Sequence, residues 1–370
     1  MKLILEDFLK AAELGIITQH ETEHFIGFKY SPETVYGRNW SELALNARGV
    51  AFDRHTGEVI ARPFKKFFNH SEFYNEDGST TGLTDILPEE FRPNCTGKFR
   101  VMDKVDGSLG ISYFNKYENR WYIKTGGSFE SDQAVWASEW LINNVDVEAM
   151  DKAKTYCFEI VYHEDMHICH YDYEGLILLG VIDNATGEEE PLLRLISYAK
   201  ELNVCLADIL EFSKFEEVIY YAMNLPKTVE GVVVTFDNGY KCKIKSEEWL
   251  KLFRAAACIS NKFIWENVKI DEYRGFHFED EFLASIPEEL KEYKQYASDL
   301  IAKLNEDNCI VAETAYKLFE SKMERKDVYQ RALAEQPRLV SAIMSMYSCF
   351  EKKVDNLARI KSLIWNINKP

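Results

Sequence analysis

The hydrophobic period of this chain changes once, at Ser246, and that change constrains the fold more than any other feature. From about Phe25 to Ile244 apolar residues come in short or alternating runs broken by Gly, Asn and Asp: "GVAFD", "GISYF", "RWYIKTGG", "YCFEIVY", "GLILLGVID" and "GVVVTFDNGYKCKIK". Such runs predict strands separated by turns. From Ser246, "SEEWLKLFRAAACISNKFIW" opens with a capping serine and two glutamates in the first turn, then repeats apolar residues at three and four. The helical period persists through "EELKEYKQYASDLIAKL", "VAETAYKLFESKM" and "LVSAIMSMYSCFEKKVDNLARIKSLIW". The expectation is an α+β chain, with an antiparallel-sheet-rich domain over residues 1–245 and an all-helical domain over residues 246–370. Inside the first, "SDQAVWASEWLINN" predicts a helix over Ser131–Asn144, capped by Ser131, with Val135, Trp136 and Trp140 on its apolar face. In the second, Met344, Met346 and Tyr347 read as core side chains rather than a cofactor box.

Composition narrows the possibilities. A length of 370 residues suits two domains, and 46% hydrophobic with 14% aromatic residues describes a folded chain. A formal net charge of -17 argues against a protein that coats nucleic acid indiscriminately, because that binding rests on neutralising phosphates; a local basic groove remains open. The eight cysteines are scattered singly, mostly in apolar runs and without a C-x-x-C pair, which reads as reduced thiols and a cytoplasmic setting. "MKLILEDFLKAAELG" acquires acids too early for a secretory signal, and the longest apolar stretch, "GLILLGVI", is far too short to cross a bilayer, so no membrane is expected. No internal repeat or low-complexity tract is visible.

The chemistry centres on "KVDGSLG", residues 104 to 110, where Lys104 stands between Asp103 and Asp106. Taken alone, the stretch also fits a surface hairpin with a salt-bridged lysine. The strands downstream argue for more, since they set polar groups in apolar surroundings: Glu159 in "CFEIV", Glu230 in "VEGVVV", Lys243 and Lys245 in "KCKIK". Alternation sends Lys241, Lys243 and Lys245 to one face, which suits phosphate, although a solvated edge with gatekeeper lysines would look the same. A cationic wall of this kind, with partial burial, would lower the pKa of Lys104 and expose its lone pair. With a divalent metal held by acids such as Glu230, the lysine could displace pyrophosphate from a nucleotide and keep the nucleoside monophosphate.

The ordered elements "KVDGS", "CFEIV", "LILLGVID", "VEGVVV" and "KCKIKS" resemble the successive motifs of covalent nucleotidyltransferases, the superfamily of ATP-dependent ligases and mRNA capping enzymes. Upstream, "NARGVAFD" and "RPFKKFFNHSE" look like the amino-terminal elements of the tRNA-repair RNA ligase 1 family of T-even bacteriophages. The likeness covers about residues 45 to 250, and the helical tail also resembles that family more than the small β-barrel of DNA ligases and capping enzymes. It implies Lys104 as the adenylated nucleophile, Asp106 and Gly107 as shapers of its loop, and Lys243 and Lys245 as catalytic residues that hold phosphates. Glu159 would contact the ribose or orient the lysine, and Glu230 and Glu159 would serve the metal. Arg48 and Lys66 would assist nucleotide activation, while Lys124 matches a position of less definite role. The implied cofactors are ATP and Mg2+ or Mn2+. The implied function is joining of 5′-phosphate and 3′-hydroxyl RNA ends in (t)RNA repair, with RNA ends, cleaved tRNA among them, as partners. A separate end-healing kinase/phosphatase is a further expected partner. A capping-type guanylyltransferase and a non-catalytic RNA-binding scaffold are the alternatives.

"HEDMH", His163 to His167, matches the H-E-x-x-H zinc-protease signature, but that motif needs a helix and a third ligand. Between "YCFEIVY" and "YDYEGLILLGVI" it reads as a connection between two strands, with a structural or incidental metal through His163, His167 and His170 as the alternative.

Overall fold

The computed structural model describes residues 2–75, 79–162, 169, 171–271, 275–279, 282–283, 286 and 290–370. His163–His167 and the neighbouring His170 lie outside them. The chain divides into two compact units, Met1–Leu250 and Lys251–Pro370. The division falls one turn beyond the change of period at Ser246, because Trp249, 2% exposed, packs into the first unit.

In the first unit, β1 (Ile17–Glu21), β2 (Phe25–Tyr30), β3 (Arg48–Asp53) and β4 (Val59–Ala61) form a four-stranded antiparallel sheet in that order. The next strands are β5 (Phe68–Asn69), β6 (Phe99–Lys104), β7 (Ser108–Asn115), β8 (Arg120–Lys124), β9 (Lys154–Val161) and β10 (Gly175–Asp183). Four more follow: β11 (Cys205–Leu206), β12 (Ile209–Leu210), β13 (Gly231–Phe236) and β14 (Lys241–Lys245). They make two five-stranded sheets, ordered β11-β10-β9-β7-β8 and β12-β6-β13-β14-β5. Pairing is antiparallel except β10 with β11 and β14 with β5.

Period-two alternation decides which side chains meet. Val101, Val232, Val234, Cys242 and Ile244 pack in one core with Val218 and Ala222 of the helix Phe215–Met223. Each valine or isoleucine side chain among them contributes roughly 1.5–3 kcal/mol when fully buried. The alternate residues, Arg100, Met102, Lys104, Val233, Thr235, Lys241, Lys243 and Lys245, therefore share the opposite face. In the other sheet Tyr156, Phe158 and Ile160 pack in a core with Leu141 and Leu195, from the helices Asp132–Asn144 and Leu192–Glu201, which leaves Glu159 to the other side.

Ser131 caps the helix Asp132–Asn144 as expected, its side chain accepting from the Ala134 N–H at 3.3 Å. Trp136 and Trp140 pack partly buried against the core as expected, whereas Val135 is 54% exposed, and Ala134, Ala137, Ser138 and Leu141 complete the buried face. Small residues let the helix sit close to β8, where Ser138 Oγ accepts from the Ile123 N–H at 2.9 Å.

The second unit is helical, with one short ribbon added, β15 (Lys269–Asp271) against β16 (Gly275–His277). Its helices Lys291–Glu320, Arg325–Glu335, Val340–Lys352 and Leu357–Ile367 enclose a core that includes Met346 and Tyr347, with Met344 partly buried against it. No helix among the described residues is long and apolar enough to cross a membrane.

Candidate active site

Lys104 ends β6, and Val105, Asp106 and Gly107 carry the chain from one five-stranded sheet into the other. The "KVDGS" stretch is thus a passage between sheets and not the turn of a hairpin. Gly107 permits it by close approach, since a Cβ there would lie 2.6 Å from the Ile160 carbonyl oxygen and 2.7 Å from Glu159 Cγ.

Register sets the rest. Lys104, Gly231 and Lys245 stand in one row across β6, β13 and β14, and Met102, Val233 and Lys243 in the next. Gly231, with φ +151, leaves its position in the row without a side chain; a Cβ would lie 2.1 Å from the Ile244 carbonyl oxygen. Glu230 reaches both lysines of that row. Lys104 Nζ lies 2.6 Å from Glu230 Oε2, and Lys245 Nζ lies 2.7 Å from Glu230 Oε1.

These groups line a cavity of ≈ 250 Å³. Met102 and Val233 from one sheet and Leu109 and Leu179 from the other supply apolar lining, with Phe64 and Phe67. Arg48, Arg100, Lys104, Lys241, Lys243 and Lys245 line it against the acids Asp103, Glu159 and Glu230, so the site is locally cationic in an acidic chain. Arg48 Nη1 is buried without a hydrogen-bond partner among the described residues, while its guanidinium lies 4.7 Å from the Phe67 ring centroid. A buried, unsatisfied donor among cations fits a phosphate ligand. Apolar walls beside it fit a nucleobase.

The electrostatics reverse one expectation. Burial disfavours the Lys104 ammonium, but Glu159, Glu230 and Asp106 outweigh it and hold the pKa above the ordinary lysine value. The cationic wall acts instead on Lys243, which burial, Lys66, Arg48, Lys245 and Lys104 together bring down to about 7. Burial likewise pushes Glu159 up to about 7, against the pull of Lys104. The sequence reveals the cations but not that the acids lie closest to Lys104.

Most of the expected site residues converge: Arg48, Lys104, Gly107, Glu159, Glu230, Lys243 and Lys245 all line the cavity. Asp106 does not line it but holds the loop, its Oδ2 accepting from the Cys169 N–H at 2.9 Å while its own N–H donates to Tyr171 Oη at 2.9 Å. Lys66 does not line it either. Its Nζ lies 4.8 Å from the Phe68 ring centroid and 5.5 Å from that of Trp40, close enough to Lys243 to depress its pKa. Lys124 is fully buried, donating to the Gly49 carbonyl at 3.1 Å and the Thr125 carbonyl at 2.6 Å, with its pKa lowered by burial to about 7.

Sequence reasoning missed Arg100, Phe64, Phe67, Leu179 and Glu189. Glu189 clasps Lys241 at 2.7 and 2.8 Å and Arg100 at 3.3 Å. It sits in "GEEEP", which carries no signal distinguishing it from its neighbours, whereas the phenylalanines of "PFKKFF" flank a basic pair and were open to detection.

No group of three or more His, Cys, Asp or Glu that could hold a metal occurs among the described residues. Glu159 and Glu230 nevertheless suit Mg2+, which is commonly held by one or two carboxylates plus substrate phosphates.

A lysine facing carboxylates in a cavity with cationic and apolar lining has the chemistry to suit a nucleotide. A model of the RNA ligase family, T4 type, matches residues 46–250, more than half of the chain, and the chain belongs to that family. A protein of Autographa californica nuclear polyhedrosis virus, named as a bifunctional polynucleotide kinase/RNA ligase, is 25% identical over an alignment of 268 residues that covers 66% of this chain and 35% of that one. A Thermovibrio ammonificans protein named as an RNA ligase is 31% identical over 151 residues, 39% of this chain and 36% of its own. The chain thus spans about a third of the length of these curated relatives, 35% and 36%. A solved archaeal ATP-dependent RNA ligase aligns over 80% of this chain and 76% of its own at 12% identity, with a TM-score of 0.49.

Proposed function

We propose that the protein is an ATP-dependent RNA ligase working through a lysyl-AMP on Lys104. The observation that carries this reading is the Lys104 amine, 2.6 Å from Glu230, in a cavity lined by Arg48, Lys243 and Lys245 in a chain of the RNA ligase family.

In the first step Lys104 Nζ, having given up a proton, attacks the α-phosphorus of ATP. A P–N bond forms, the bond to the bridging oxygen breaks, and pyrophosphate leaves. Glu230 Oε2, hydrogen-bonded to this nitrogen, orients it, and the proton passes to solvent. Arg48, Lys243 and Lys245 stabilise charge on the phosphates, with Lys66 behind them. Lys243, with its pKa near 7, gains a counterion when phosphate enters and is drawn to its charged form. Glu230 and Glu159 would hold a divalent cation, Mg2+ or Mn2+, which would supply positive charge beside the phosphates. Next, the 5′-phosphate of an RNA end attacks the same phosphorus, the P–N bond breaks, and an adenylated end results. Finally a 3′-hydroxyl attacks the RNA phosphorus, AMP leaves and the strand is sealed.

The helical unit would select RNA ends, with cleaved tRNA as the substrate suggested by the family resemblance. The kinase activity in the baculovirus relative's name supports a partner that prepares those ends. Incubation with α-labelled ATP or GTP and a divalent metal, followed by a denaturing gel, tests the reading. Label from ATP that disappears in Lys104→Ala supports it; label from GTP marks a capping-type guanylyltransferase, and no label marks a non-catalytic RNA-binding protein.

A further inference from the structure

Lys104 and Lys245 are joined through Glu230 on one side, and through a single aromatic residue on the other. Trp249 Nε1 donates to Asp106 Oδ2 at 3.4 Å, and Lys245 Nζ lies 4.2 Å from the centroid of the same indole. Asp106 is two residues from Lys104, so the path Lys104, Asp106, Trp249, Lys245, Glu230 closes on Lys104 again, its last two links being ion pairs of 2.7 and 2.6 Å. Trp249 is itself fixed: 2% exposed, in the first turn of the helix Glu247–Cys258, with its N–H donating to Ser246 Oγ at 3.2 Å. Ser246 in turn donates to the Leu225 carbonyl at 2.8 Å.

We propose that Trp249 is a positioning residue of the lysine site, tying the loop that follows Lys104 to the strand that carries Lys245. The inference rests on the reading of Lys104 as the nucleophile. Tryptophan suits the task because it joins an N–H donor to a strong cation-binding face in one rigid ring. The donor holds Asp106, and hence the course of the chain directly after the nucleophile. The face holds the Lys245 ammonium beside Glu230, a carboxylate that Lys245 shares with Lys104.

Two variants separate these contributions in single-turnover adenylylation with ATP. Trp249→Phe keeps a ring and loses the donor, so the rate constant should fall about 10- to 100-fold, with ATP affinity within about twofold of the parent. Trp249→Leu loses both, so ATP affinity should weaken as well, by about 2- to 30-fold. The amplitude of adduct per folded molecule should hold in both. Rate constants and affinities equal to the parent's in both variants, or a fall in amplitude alone, would overturn the inference.

A second measurement needs neither a folded Trp249 variant nor adduct formation. In 15N-labelled protein, Asp106→Asn should shift one of the seven tryptophan indole N–H resonances and speed its exchange, and seven unmoved resonances would overturn the inference. If the parent forms no adduct, the reading of function fails, and the indole resonances still decide the positioning of Asp106.

Discussion

Burial moves two titratable side chains of the cavity toward neutrality from opposite directions, and their contributions to stability have opposite signs. Lys243 titrates near 7 in the folded protein and near 10.5 when exposed, so between those values the unfolded chain binds more protons and stability rises with pH. Glu159 titrates near 7 when folded and near 4.5 when exposed, so between 4.5 and 7 the folded chain binds more protons and stability falls as pH rises. Urea unfolding followed from pH 5 to 9 should therefore show a contribution with a minimum near pH 7. Glu159→Gln should flatten the limb below pH 7, and Lys243→Met should flatten the limb above it. Unchanged slopes in both variants would mean that neither group is as buried as the cavity makes it. Lys104, kept charged by Glu159 and Glu230, should take no part in either limb.

Strand β14 divides its residues between stability and chemistry. Ile244 packs with Val218 and Val232, and Ile244→Ala should cost about 2–5 kcal/mol in unfolding measurements. Lys243→Ala, one residue away on the other face, should leave stability at pH 7 unchanged or raised while slowing adduct formation. Equal losses of stability in the two variants would contradict the division. This face was legible in the sequence because "KCKIK" alternates strictly, and a period of two leaves no choice of side. The helix Asp132–Asn144 was legible in extent and cap, and in facing except at Val135. Trp136 and Trp140 pack against the core, but Val135 turns outward because close packing on β8 favours Ala134, Ala137 and Ser138. The passage from β6 to β7 was illegible for a related reason: Asp-Gly marks a change of direction, and only the pairing partners of the two strands tell a hairpin from a step between sheets.

At the scale of the molecule, the change of period at Ser246 foretold a sheet-rich part followed by a helical one. Each unit has apolar clusters of its own, those of the first drawn from residues no later than Ile244 and that of the second from Ile259 onward. A chain ended at Cys258 should thus fold and form the ATP adduct within a few-fold of the full-length rate, while losing the joining of RNA ends. A folded truncation that still seals RNA would remove the role given to the helical unit. The total charge of -17 gave no hint of the cationic cavity, because a net charge sums over a surface whereas the cavity is set by strand register. All of this depends on Lys104 acting as a nucleophile. Peptide mapping by mass spectrometry, after incubation with ATP and Mg2+, tests that most directly. The account predicts one AMP on the peptide bearing Lys104, removed by pyrophosphate; AMP on another residue, or on none, would contradict it.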